Sequence, residues 1–160
     1  MAKAREVPGL DGHDPFRVAA AKVVSVRGTE LFEQSANVLD TDDIERVHDM
    51  RVATRRLRAV LEIFAPCFER TLHRGVLGDV KSLADALGER RDPDVHIEAL
   101  ERFGGAVAEV DRPGVESLVA RLREDQAAGN ATVSHALQEI ERSDLRGRLR
   151  ALCEAAETTR

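Results

Sequence analysis

The chain has 160 residues, a length that one domain with a single sizeable core accommodates. Its formal charge of −5 at pH 7 argues against a general nucleic-acid coat, so any basic surface must be local. No apolar run is long enough to span a bilayer, and the opening MAKAREVPGL lacks a secretory h-region.

Cys67 and Cys153 fall in no pattern and read as reduced thiols of a cytoplasmic protein. Ala, Leu, Arg and Glu dominate, aromatics make up 3%, and Trp and Tyr are absent, which favours an all-helical bundle.

Residues 1–13 are polar and contain Gly and Pro, as a flexible N-terminal tail does, so the bundle is expected over 14–160. Asp14-Pro15 reads as an N-cap followed by proline at the first helical position. A first helix is predicted from Pro15 to about Leu39, with Val24, Leu31 and Val38 at seven-residue spacing. Asp42 and Glu45 resemble a capping box that opens a second helix, which must stop before Pro66.

Within that second helix the stretch VHDMRVATRRLRAVLEIF puts Met50, Ala53, Leu57, Leu61 and Phe64 on one face. His48, Arg51, Arg55 and Arg58 form a neighbouring stripe, with Arg56 near its far edge. From Arg46 to Arg58 there are five arginines against Asp49 alone. Like charges one turn apart cost helix stability. An anion lying along the strip offsets that cost, and the fixed donor fork of arginine suits phosphate oxygens.

A third helix is predicted over Glu69 to Leu87, with Val76, Val80, Leu83 and Leu87 as its apolar line and Gly88 ending or bending it. Arg74, Lys81 and Arg91 form a second basic stripe if the helix runs on, diluted by Asp85, and Gly88 then leaves room for a ligand at the backbone. Asp92-Pro93 repeats the cap-then-proline signal and opens a short helix to Phe103. A loop through Gly104-Gly105 reaches Pro113-Gly114. The last long helix then starts near Val115, shows Leu118, Leu122, Val133, Leu137 and Ile140, and is expected to kink or be interrupted at Gly129-Asn130. A C-terminal piece carries Leu145, Leu149 and Leu152 on one side. The reading is an up-down helical bundle of four long helices plus a short connecting helix.

His13, His73, His96 and His135 lack metal-ligand spacing, and the sequence has neither a Gly-rich phosphate loop nor a nucleophile elbow. No catalytic residue, metal site or cofactor is therefore expected.

VHDMRVATRRLRAVLEIF resembles the signature of CHAD domains, the conserved-histidine α-helical domains, in its pattern His-x-x-Arg-Val-x-x-Arg-Arg-Leu-Arg. LADALGERRDPDV is similar to the family's following helix, with its Leu-Gly, Arg-Asp and Asp-Val. The resemblance implies a non-catalytic helical module that binds inorganic polyphosphate through His48, Arg51, Arg55, Arg56, Arg58, Lys81 and Arg91. It also implies a cytoplasmic location near polyphosphate granules. Asp92 and Asp94 match the family too, with a capping role expected for Asp92 before Pro93. Family members usually carry two facing bundle repeats and this chain carries one signature, so a twofold homodimer is expected. The rival readings are a histidine phosphotransfer bundle using His48, disfavoured by Val52 where such modules place glycine, and nucleic-acid binding, disfavoured by the acidic charge and the lack of Trp and Tyr for stacking.

Overall fold

A computed structural model describes residues 3–40 and 43–158, and its regular structure is helical throughout: α1 (Phe16–Gln34), α2 (Ile44–Ile63), α3 (Arg70–Gly104), α4 (Arg112–Arg142) and α5 (Leu145–Thr158), with one turn of 3₁₀ helix at Ala65–Cys67. α2 packs between α1 and α3, α5 lies on α1, and α4 runs back along α3. The described residues form an all-α bundle.

The apolar lines expected of each helix meet in one core. Val24, Leu31 and Val38, Met50, Leu57 and Leu61, Val76, Val80, Leu83 and Leu87, and Leu145, Leu149 and Leu152 are all buried in it. Each fully buried leucine contributes about 2 kcal/mol relative to exposure. The core ends at Leu87 on α3 and begins at Val133 on α4. Beyond it the two helices continue as an antiparallel arm, where Phe103, Val110 and Leu118 are exposed. Leu118 therefore lies on a solvated face and not on the core line expected of it.

Helix ends follow local chemistry. α2 stops at Ile63, where the Phe64 N–H still reaches the Val60 carbonyl (2.9 Å) before Pro66 turns the chain. The Glu69 carboxylate caps α3 by accepting from the N–H groups of Thr71 (2.8 Å) and Leu72 (2.7 Å), which hold its pKa below the usual value. α1 starts one residue later than expected, and Asp14 does not cap it. The Asp14 carboxylate instead accepts from the Asp11 N–H (2.9 Å) and pairs with Lys22 (2.7 Å). α1 also ends at Gln34, short of Leu39, because Asn37 adopts a left-handed backbone (φ 55°), a conformation asparagine tolerates. Asp42, expected in a capping box, lies outside the described residues. The Asp43 carboxylate pairs with Arg46 (3.1 Å).

Two expected breaks are absent. The third helix and the short helix after it are one helix, α3, with Pro93 inside and buried. Asp92 therefore caps nothing. A proline in a helix interior costs about 3 kcal/mol or more, so packing must offset it. Arg90, three residues before that proline, and Asp94, the residue after it, bury an ion pair against α4, where Asn130 accepts from Arg90 and Gln126 donates to Asp94. Likewise α4 continues through Gly129-Asn130, because Gly129 lets α4 close onto α3 and Asn130 is tied to Arg90 and to the Leu39 carbonyl.

Candidate anion-binding groove

α2 presents its stripe to solvent because its opposite face is committed to the core. Met50, Ala53, Leu57 and Leu61 are buried, leaving Arg51, Arg55 and Arg58 on the far edge. These three arginines form one wall of an open groove of about 560 Å³ between α2 and α3. The other wall is the α3 face that carries Ala84, Asp85, Gly88, Glu89 and Asp92. Gly88 exposes bare backbone here, with nothing within 4 Å of the position a Cβ would take.

At one end of the groove Glu62 bridges two cations, Arg58 (3.1 Å) and Lys81 (3.2 Å). Those hydrogen bonds, from Arg58 first and Lys81 second, hold its carboxyl below the ordinary glutamate value. The side chains of Arg51 and Arg55 make no ion pair or hydrogen bond with another described residue. His48 lies one turn before Arg51 on α2, with its imidazole within 4.8 Å of carboxylate oxygens of Glu45 and Asp49. It is half-buried and does not line the cavity.

The structure divides the residues expected at the site. Arg51, Arg55 and Arg58 stand together, and Lys81 joins them at the Glu62 end. Arg56 is turned toward α1, where its charge acts on Glu30. Arg91 is only 12% exposed and faces Asp94 (3.6 Å), so Arg74, Lys81 and Arg91 do not form a second stripe. The acidic residues Glu89 and Asp92 are the groove members that sequence reasoning missed. Their spacing with Asp85, four and then three residues, places all three on one side of a helix once α3 runs unbroken through Pro93.

His73 and the two cysteines lie away from the groove. His73 is buried, its Nε2 lies 2.8 Å from the Leu61 carbonyl oxygen, and its ring stacks on Phe68. Cys67 and Cys153 are free and buried, and burial with Glu157 and Glu154 nearby pushes the Cys153 thiol up to about 12. Among the described residues, no helix is long and apolar enough to cross a membrane.

No curated protein and no solved structure matches the sequence. The profile of one family, the CHAD domain, matches residues 28–160, which takes in all of α2 to α5 and both walls of the groove. The chain belongs to the CHAD domain family.

Proposed function

We propose that this CHAD domain binds inorganic polyphosphate, without catalysis, along the groove between α2 and α3. The observation that carries the reading is the row Arg51, Arg55, Arg58 on one groove wall, with the first two unpaired. At a rise of about 1.5 Å per residue, the row offers a guanidinium about every 5 Å over roughly 10 Å. A chain of linked phosphates meets all three at once through charge-assisted, forked hydrogen bonds, whereas a lone phosphate meets one or two.

Gly88 leaves the groove floor open to the strand. His48 and Lys81 extend the row at its two ends. In this reading Arg56 and Arg91 support the fold at α1 and at Asp94 and do not touch the ligand. The protein works as a twofold dimer with two such rows facing each other. Sedimentation at tens of micromolar tests that part, and a strictly monomeric mass counts against it.

The binding itself is tested by a salt series with long-chain polyphosphate, comparing wild type with Arg51→Glu/Arg55→Glu. The expected result is an affinity that falls linearly on a log–log plot, with a slope reduced by about two ion contacts in the variant, by analogy with counterion release from nucleic acids. Absence of wild-type binding at physiological salt overturns the reading.

A further inference from the structure

We propose that Asp85, Glu89 and Asp92 form a repulsive ridge that restricts the groove to a narrow strand of linked phosphates and turns away duplex nucleic acid. This inference rests on the polyphosphate reading above and adds the selectivity of the same site.

The groove is not a basic patch. Arg51, Arg55, Arg58 and Lys81 face Glu62, Asp85, Glu89 and Asp92, four cations against four carboxylates. Such a site has no net charge to draw a polyanion from afar, so its preference must come from where each charge stands. Arg51, Arg55 and Arg58 line the α2 wall, and Lys81 stands on α3 beside Glu62 of α2. Asp85 and Glu89 stand on the crest of α3, because they line both this groove and the next one, between α3 and α4. In that second groove Asp79 and Glu139 are already paired, with Arg148 and with Arg142 (2.7 Å).

Shape then converts charge into selectivity. Packed helix axes lie about 8–10 Å apart, so the furrow between α2 and α3 admits one thin strand lying against the arginines. A DNA duplex, whose major groove alone is about 12 Å wide, is too broad to enter and must rest across the crest. There its phosphates meet Asp85 and Glu89 directly. The strand in the furrow lies between the α2 arginines and the α3 carboxylates, so the guanidiniums on one side offset the carboxylates on the other. A duplex held out of the furrow by its width meets the carboxylates without that offset. Discrimination by built-in repulsion of the wrong partner is the expected result.

The test is direct binding of long-chain polyphosphate and of a 20-base-pair DNA duplex at one fixed salt concentration. Wild type is compared with Asp85→Asn/Glu89→Gln and with a charge-matched control on the distant arm, Glu116→Gln/Glu124→Gln. All are isosteric surface changes, and helicity and melting temperature confirm folding. In the ridge variant the duplex is expected to bind about tenfold tighter, the relief of two like-charge surface contacts, while polyphosphate gains less than about threefold. The arm control is expected to move both ligands equally and slightly. If the ridge variant tightens both ligands by one common factor, or leaves the duplex unchanged, the ridge confers no selectivity and the inference falls while polyphosphate binding stands. If wild type binds no polyphosphate, the underlying reading falls and the inference with it.

Discussion

Gly129 on α4 lies so close to Arg90 on α3 that a Cβ at position 129 would stand 3.0 Å from the Arg90 Cα and 3.2 Å from its Cδ. The closer of these neighbours is backbone, which does not swing aside. The contact explains why glycine is kept in the middle of a 31-residue helix, where it costs about 1 kcal/mol relative to alanine. It also brings α4 near enough for Asn130 and Gln126 to reach the buried pair on α3.

Gly129→Ala is therefore expected to destabilise the fold by about 1–3 kcal/mol, overpacking outweighing the gain in helix propensity. Gly78→Ala, on α3 with open space where its Cβ would go, carries the propensity gain alone and is expected to stabilise by about 0.5–1 kcal/mol. Urea unfolding of the two variants should give opposite signs. Equal signs would show that α3 and α4 are not in this contact.

The pair that Gly129 admits is itself a liability if halved. The Arg90 and Asp94 side chains are fully buried, with Asn130 accepting from Arg90 (2.5 Å) and Gln126 donating to Asp94 (2.7 Å). Asp94→Ala leaves a guanidinium without its counter-charge, and a loss of about 3–5 kcal/mol is expected. Arg90→Met/Asp94→Leu, which removes both charges, should cost much less. A double-mutant cycle measured by chemical unfolding checks the difference. A double variant as unstable as Asp94→Ala would mean that shape, not the unpaired charge, sets the cost.

The same pair marks the limit of what the sequence discloses. Met50, Ala53, Leu57 and Leu61 were legible as a buried line, and Arg51, Arg55 and Arg58 as its exposed neighbour, because both follow from the 100° step of one helix. That step also parts Arg56 from Arg55, which is why Arg56 reaches toward Glu30 on α1. Pro93 reads as a helix start in the sequence because its cost is local while its compensation is not. Gln126 and Asn130 lie 32 and 40 residues beyond their partners. Arg91 read as a ligand for the same reason, its burial at Asp94 depending on where α4 lies. The carboxylates Glu89 and Asp92 became groove residues only once α3 was continuous and set against α2. Asp85, which in the sequence only dilutes a basic stripe, is in the fold part of the opposite wall.

Acid should loosen the α1 edge of the bundle. Glu30 is buried, and burial alone raises its pKa, yet pairing with Arg27 (2.7 Å), the Arg5 N–H (2.6 Å) and the charge of Arg56 together lower it by more, to a net value below the ordinary 4.5. A depressed folded value means that its stabilising contribution is full above about pH 4.5, where the unfolded chain would begin to protonate, and fades as pH falls through the folded pKa. Melting temperatures of wild type and Glu30→Gln should therefore differ most between pH 5 and 7 and converge in stronger acid. A gap that widens on acidification would reverse the sign of the shift and with it the role of these cations.

Gly88 offers a way to separate stability from binding within the proposed groove. It lies inside α3 with no atom within 4 Å of the position a Cβ would take, and that empty space is the groove beside Arg51, Arg55 and Arg58. For the folded chain alone, glycine here is a loss, and Gly88→Ala is expected to stabilise by about 0.5–1 kcal/mol. For a strand of linked phosphates lying along the floor, the added methyl occupies the space the backbone had left open. A protein that melts higher and yet binds long-chain polyphosphate several-fold more weakly would tie the glycine to the ligand, since a general defect would lower both. If Gly88→Ala raises the melting temperature and leaves polyphosphate affinity unchanged, the strand does not approach α3 at this turn, and the arginine wall of α2 carries the contact without it.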